Sequence, residues 1–561
     1  MIKKICILGC AVLVSIGSMA QSLFKLEPDE NAFFGGISGN GRWAYGAEQQ
    51  SGAYLYDLSN RQLFIYEKAY VDGVSDNGIL VGDNSSGAAY CRNNSWYILP
   101  LPEKSGITES EARGVSKDGS LIVGDISYAK GPRKPCLWTR QADGSYNFEY
   151  LPTIEKDITE RTPQAVDALR CSATGEMIFG RLVDWSGMFC LPVFWKKESS
   201  GQWSVHLSGK EIMIREGATV PSIPNVDTPD PSEYFSKQDS ITFQHVVDEW
   251  KKNPGSQINP EWGDLSVYIT NPDSIAAYKK DLEAYKKIEV VIKAKTAEFY
   301  EVLSGKTFDA YTLSMSANGR YLATTCNETD MDATSEDDEY VITYPIVYDI
   351  HVGQWETKPV SKDCIVQGIT DNGDLFYASP YMEDTRNSFV IPAGSEEALP
   401  ISHWIYEQTE GKLDVSRNPD FLFDYDYTNA EGQHIVVNDS LVLGTVFPSS
   451  DGRILLGTFY SPATGEPITF FVDMDNAYIS SVNETQANKE ALFYPNPVCD
   501  ELYLNKEIEK IEFFDIAGRL VYKSGVVSGT IPMNRFENGT YLVKITADGK
   551  QTSHKVVVSH T

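Results

Sequence analysis

One short pattern occurs seven times along the chain, and it limits the folds available to it. An apolar residue is followed by Ser or Thr, one variable residue, a turn former and Gly. The copies begin at Ile37-Ser38, Val74-Ser75, Val115-Ser116, Cys171-Ser172, Met315-Ser316 and Ile369-Thr370, with a looser seventh at Ser449-Ser-Asp-Gly452. Asn-Gly and Asp-Gly accept the positive φ that tight hairpin turns demand. The hydroxyl can bond backbone at the turn entrance. An apolar run follows, ending on Gly in Ile79-Leu-Val-Gly82, Leu121-Ile-Val-Gly124 and Ile454-Leu-Leu-Gly457. A short aromatic strand comes next, as in Cys136-Leu-Trp138 and Val193-Phe-Trp195, and then often a third strand closing on Leu-Pro at Pro100 and Pro152. With the strand leading into the next turn, each unit has about four strands. The tightest units, from Ser38 to Ser75 to Ser116, repeat every 37 and 41 residues. That period and strand count are those of a propeller blade. The fold class expected is therefore mainly β, a β-propeller of about seven blades. The hairpin turns argue against a parallel solenoid.

The spacing then breaks. Ser172 and Ser316 lie 144 residues apart, so residues 206–308 read as an insertion after the fourth blade. Its first part is acidic and Pro-rich; Ser240–Lys251 and Pro272–Leu303 read as helices, the second capped by Asp273 or Ser274 and stopped near Gly305. The propeller is expected over residues 21–478, followed by a polar linker at 479–491 and a small β-sandwich at 492–561. At the other end, Lys3 and Lys4 precede the apolar run Ile5–Ile16, and small residues lead to Ala20 and Gln21. This predicts a signal peptide over 1–20, cleaved between Ala20 and Gln21, and no transmembrane segment.

The last segment carries Tyr494-Pro495-Asn496-Pro497, Ala517-Gly518-Arg519, Gly539-Thr-Tyr541 and Lys555, in that order. It resembles the C-terminal (type A) sorting domain of the type IX secretion system of Bacteroidetes. The resemblance implies handling by that machinery and a secreted or outer-membrane-surface location reached through the periplasm. Its motif residues would be Tyr494, Pro495, Asn496, Pro497, Gly518, Gly539, Tyr541 and Lys555. The repeats resemble those of bacterial extracellular propellers, best in Arg113–Gly124 with Cys136–Thr139; that resemblance implies fold alone.

Charge narrows the partners. Forty-eight Lys and Arg face 78 Asp and Glu, a net charge of −30. Such a surface argues against nucleic acid as a partner, since phosphate contacts need cations. Seven Cys lie beyond the signal segment at long spacings, with no Cys-x-x-Cys. They read as small core residues. The seven His show no metal-ligand spacing, and Ser38 in Gly36-Ile-Ser-Gly-Asn-Gly41 serves a turn rather than a nucleophile elbow. No catalytic residue and no cofactor is expected. Calcium is the one ion with any sequence support, from the acidic stretches Asp330–Glu339 and Asp424–Glu431, and the second lacks the required Gly at its sixth position, Asn429. Trp185, Tyr381 and Trp404 are the loop aromatics available to stack on sugars or peptides.

These features point first to a secreted binding module for a glycan or protein ligand. An extracellular hydrolase with its site in the central opening is the alternative, because residues drawn from several blades leave no linear motif. A structural component of a surface assembly, docking through the long helix, is the third.

Overall fold

The computed structural model describes residues 23–26, 32–48, 52–60, 62–67, 69–103, 106–252, 263–309, 312–329, 341–358, 364–378, 388–418, 421–428, 434–460, 467–475, 493–494, 498, 501–515, 519–547, 550–558 and 560. The signal segment, Ala20, Gln21, the linker, Tyr381, the loop 330–340 and the motif residues Pro495, Asn496, Pro497 and Gly518 lie outside these. The chain divides into two compact units, Gln21–Tyr478 and Ile479–Thr561.

The first unit is a β-propeller. Among the described residues it holds seven sheets of four antiparallel strands, one with an extra short strand. Blades 1 to 4 open with Ala32–Ile37, Ala69–Val74, Ile107–Val115 and Ala165–Cys171. Blade 5 opens with Lys306–Phe308 and Ser314–Met315, blade 6 with Ile365–Ile369 and blade 7 with Thr445–Pro448. The outermost strand of blade 7 is Leu23–Leu26, from the other end of the chain, paired with Pro467–Asp473. That pairing locks the circle. A separate hairpin, Leu422–Thr428 with His434–Leu441, follows blade 6.

The repeated turns explain the closure. Every turn Ser or Thr is at most 1 % exposed. Its oxygen accepts from backbone beyond the turn, as in Leu121 N to Ser116 Oγ at 2.9 Å and Ile454 N to Ser449 Oγ at 3.0 Å. The next residue bonds to the neighbouring blade. Asp76 N donates to Lys117 O, Lys117 N to Ala173 O, Ala173 N to Ala317 O, Asp371 N to Ser450 O, and Ser450 N to Gly39 O. The two remaining junctions use carboxylates: Asn40 N donates to Asp76 Oδ1 and Asn318 N to Asp371 Oδ1. The turns thus form a closed hydrogen-bonded ring around one end of the central axis.

Apolar clusters fill each gap between blades. Ile79, Val81 and Tyr90 of blade 2 pack with Ile122, Cys136 and Trp138 of blade 3, and equivalent clusters join the other neighbours. Cys91, Cys136, Cys326 and Cys364 are buried, as the apolar strand contexts suggest, whereas Cys171 and Cys190 are half-buried. The structure also relates the Trp strands to the Leu-Pro endings. Trp138 Nε1 donates to Pro100 O, and Trp195 Nε1 to Pro152 O, each at 2.7 Å across a blade boundary. Trp195→Phe should therefore cost about 2 kcal/mol, from a lost buried hydrogen bond and lost volume. A urea unfolding curve checks this; an unchanged midpoint would remove the bond from the account.

The insertion leaves from Leu207, at the end of the propeller opposite the turn ring. It contains α1 (Lys237–Lys252) and α2 (Pro272–Val302). The cap of α2 is Asn271, not Asp273 or Ser274: Asn271 Oδ1 accepts from Asp273 N at 2.8 Å and Ser274 N at 3.4 Å, with Pro272 at the first helical position. Ile292, Phe299 and Leu303 seat the helix on Phe189, Leu191, Phe308 and Tyr344 of blades 4 and 5.

The second unit is a small sandwich. One sheet pairs Phe493–Tyr494, Glu501–Ile508 and Val527–Pro532; the other orders Leu520–Ser524, Lys510–Phe514, Gly539–Ala547 and Lys550–Val558. Leu502, Phe513, Ile531, Val543 and Val556 form its core. Tyr541 is buried and its hydroxyl donates to Glu537 O at 2.9 Å. Gly539 pairs with Val558, and Leu542 with Lys555, so three motif residues stand on one strand pair.

Candidate functional site

The innermost strands share an irregularity. In blades 1, 2, 3, 4 and 6 the ladder slips by one residue at the same place, leaving Gly35, Asp72, Arg113, Leu169 and Gln367 unpaired. Such bulges bend a strand and re-aim side chains. In blades 2, 3 and 4 the strand opposite carries Gly where a carbonyl two residues before the bulge takes the space of a side chain, whereas blade 6 has the same slip with Tyr377 at that position. A Cβ on Gly82, Gly124 or Gly180 would lie 1.9, 1.9 or 1.8 Å from the carbonyl oxygen of Tyr70, Glu111 or Asp167. The Gly endings at Gly82 and Gly124 follow from this; at Gly457, in blade 7, a Cβ would instead meet the Phe470 ring.

Just before each bulge stands one cross-strand pair, five residues ahead of the turn Ser or Thr. In blades 1 and 6 it is Phe33 with Ala47 and Ile365 with Ala378. In blades 2, 3 and 4 it is Tyr70 with Asp83, Glu111 with Asp125, and Asp167 with Arg181. The same backbone position thus holds apolar pairs in two blades and polar pairs in three successive ones. The fold does not require the charges.

Those of blades 3 and 4 join with Asp72, Arg113 and Arg133 into one network. Arg113 Nη1 lies 3.3 Å from Asp72, its Nη2 contacts Glu111, and its Nε lies 3.4 Å from Asp125. Arg133 Nε is 3.6 Å from Asp125 and 2.7 Å from Asp167, and Arg181 Nε is 2.9 Å from Asp167. Asp125 and Asp167 are buried, whereas the side chains of Asp72, Glu111 and Arg113 are 31 %, 29 % and 24 % exposed. Tyr70, 61 % exposed, stands at the rim beside Asp83. The result is a rigid charged floor with a half-exposed polar edge and one open aromatic ring.

Electrostatics separates the carboxyls. Burial pushes Asp83 up to about 6, helped by the charges of Glu111, Asp72 and Glu109 and opposed by Arg113. Burial and then Asp167 also raise Asp125, against Arg113 and Arg133. Burial works against the charged form of Arg113, but Asp72, Asp125 and Glu111 outweigh it and hold the guanidinium ionised. A carboxyl raised on folding binds its proton more tightly in the native state. Stability contributed by Asp83 is thus present below the unfolded value near ~4 and falls as pH rises through about 6. Asp83→Asn should flatten the stability profile between those limits. Chemical denaturation at pH 4 and pH 7 checks it; parallel profiles would contradict the assignment.

Sequence reasoning missed this site. Arg113 appeared only as part of a repeat, and Tyr70 not at all. The signal was available: aligned on the turn hydroxyl, position −5 changes from apolar to polar in blades 2 to 4. Of the aromatics expected in loops, Trp404 is a core residue, 8 % exposed and packed on Phe376. Trp185 is half-buried, with the Arg161 guanidinium 4.3 Å above its ring. Ser38 is buried in its turn. Part of the acidic stretch 424–431 lies in the separate hairpin and the rest outside the described residues. Among the described residues no group of three or more His, Cys, Asp or Glu has the geometry to hold a metal ion.

Comparisons bear mainly on the tail. Residues 492–559 match the family model of the secretion system C-terminal sorting domain. An ulvan lyase of Nonlabens ulvanivorans is 27 % identical over 133 residues, covering 20 % of this chain and a quarter of that protein. Among solved structures, an oligogalacturonate lyase from Vibrio parahaemolyticus has a TM-score of 0.35 at 8 % identity, covering 80 % of this chain and 93 % of its own. The β-propeller domain of the Trilobed protease from Pyrococcus furiosus has a TM-score of 0.29 at 6 % identity, covering 93 % and 97 %. At those scores the likeness carries no argument, and the propeller rests on its own sheets and turn ring. No helix among the described residues is long and apolar enough to cross a membrane. The chain is a β-propeller cargo of the type IX secretion system, sent out of the cell or to its surface.

Proposed function

We propose that the protein is a secreted binding module whose ligand, a glycan or a protein segment, docks at the end of the central axis formed by blades 2, 3 and 4. The observation that carries this reading is the change at one repeated position, from Phe33/Ala47 and Ile365/Ala378 to Tyr70/Asp83, Glu111/Asp125 and Asp167/Arg181. Buried ion networks are poor stabilisers relative to apolar packing of the same volume. A fold that packs the position with apolar residues elsewhere gains little stability from charges here. Tyr70 offers a ring face, and the carboxylates and Arg113 offer acceptors and donors held in place before a ligand arrives.

The test is a glycan and peptide array probed with the full chain, alongside Tyr70→Ala and Glu111→Gln. The expected result is binding that Tyr70→Ala weakens at least about tenfold, as the loss of an aromatic anchor would. Hits that both variants retain in full would overturn the placement.

One observation supports a second reading, a glycan-directed hydrolase. Asp83 is raised to about 6, so this half-buried acid keeps its proton to a higher pH than a free carboxyl. Release of reducing ends from a bound glycan, lost in Asp83→Asn, would support it; binding without release would exclude it for that glycan.

A further inference from the structure

One short segment of the insertion holds both loops that lead into the charged network. The first loop joins the second and third strands of blade 3, Leu121–Tyr128 and Lys134–Arg140. At its start Lys130 Nζ reaches Glu233 Oε1 at 2.8 Å and Asp230 Oδ2 at 3.7 Å. At its end Arg133 holds Asp167 and Asp125. The second loop joins blade 3 to blade 4 and ends at Asp167. There Thr159 O accepts from Ile223 N at 2.9 Å, and Arg161 donates to Pro224 O at 2.9 Å and Asp227 Oδ1 at 2.5 Å. Thr162 and Asn225 exchange two bonds, at 3.2 and 3.0 Å. The loops are tied to each other where they meet the site: Arg133 N donates to Gln164 O, and Val166 N to Arg133 O.

The anchoring is unequal. The Arg161 side chain is 5 % exposed and stacks on Trp185, whereas Lys130 and Glu233 are largely open to solvent. A buried guanidinium, bonded to a backbone carbonyl and to the exposed Asp227, fixes one loop, and a solvated pair trims the other. None of the segment's own residues belongs to the network.

We propose that residues 223–233 form a strap that fixes Arg133 as the positioning residue of the ligand site, so that the insertion sets the geometry of Asp125 and Asp167 without touching the ligand. This rests on the ligand reading above for its purpose, but its test needs no ligand. Asp125 is faced by Glu111 and Arg113 from the first strand of blade 3, Arg133 from the loop before the third strand, Cys136 from that strand, and Asp167 from blade 4. Loosening Arg133 removes one of its two cationic neighbours.

The experiment uses the full chain with 13C-carboxyl-labelled aspartate, the Asp125 resonance being assigned through Asp125→Asn. Three variants are compared: Arg133→Met, the strap variant Asn225→Ala/Asp227→Ala/Glu233→Ala, and Lys130→Met on the loop side. Lys252→Ala, which breaks an exposed pair with Glu249 at 2.6 Å elsewhere in the insertion, is the control. Arg133→Met should raise the Asp125 midpoint by about half a unit or more, and the strap variant should move it the same way. Hydrogen exchange at the Arg133 and Val166 amides should quicken about tenfold in the strap variant and stay unchanged in Lys252→Ala. A midpoint that moves in Arg133→Met but stays put in both the strap variant and Lys130→Met would overturn the strap. A midpoint unmoved by Arg133→Met would overturn the role of Arg133 itself. An array without hits would count against the ligand reading and leave these shifts intact.

Discussion

Gly180→Ala should destabilise the propeller by at least about 4 kcal/mol, more than an ordinary core substitution. The added Cβ would lie 1.8 Å from the Asp167 carbonyl oxygen and 3.0 Å from the Trp195 ring. Neither can yield. The carbonyl belongs to a bulged strand at the axis, and Trp195 is fully buried and bonded to the neighbouring blade. Relief would require pulling the second strand of blade 4 from the first, breaking the ladder from Ala165/Val183 to Cys171/Ile178. Gly35→Ala is the control, because a Cβ there meets nothing within 4 Å. It should be close to neutral, since losing a Gly also restricts the unfolded chain. Denaturant midpoints of the two variants check this; similar losses would mean that the Asp167 carbonyl and the Trp195 ring do not dictate the glycine.

Asp167→Ala carries the second large effect. The carboxylate is 1 % exposed and accepts from Arg133 at 2.7 and 2.9 Å and from Arg181 at 2.9 Å. Removing it leaves two guanidinium groups facing each other across a buried gap. Breaking such a network from one side costs about 3–5 kcal/mol; the partial exposure of Arg133 and Arg181 places this case near the lower figure. Replacing the network by the pair blade 6 uses should cost less. Asp167→Ile/Arg181→Ala with Arg133→Met restores an apolar position and strands no charge. If the triple variant is more stable than Asp167→Ala and yet loses array binding, the charges serve recognition. If it is less stable, they are part of what holds the blades together.

How much of this was legible in advance differs between the two units. The turn pattern from Ser38 to Ser449 carried the propeller because each residue in it has a local duty: the hydroxyl closes the turn, and the Gly takes the positive φ, as at Gly119 and Gly175. The tail was legible for a different reason, since its motif elements come in a set order from Tyr494 to Lys555 and carry the resemblance to the sorting domain. The ring of bonds through Asp76, Lys117, Ala173 and Asp371 was not, because it joins positions 36 to 411 residues apart, most of them through backbone alone. The helix cap was misplaced by two or three residues because Asn271, Asp273 and Ser274 can all cap, and Pro272 decides among them by favouring the first helical position. Trp404 looked like a loop aromatic, but an eight-residue helix, Ile401–Gln408, carries it into the core between blades 6 and 7. The charged site could be found only by treating the blades as one alignment, since no two of Asp83, Arg113, Asp125, Asp167 and Arg181 are neighbours in sequence.

The most direct test of the account is a hydrogen-exchange footprint of the full chain with an array-selected ligand bound. Slowed exchange is expected in Ala69–Val74 and Ile107–Val115, the innermost strands of blades 2 and 3, with the tail unaffected. Protection confined to the outer strands, to blades 6 and 7 or to α2 would place the ligand elsewhere and contradict the account.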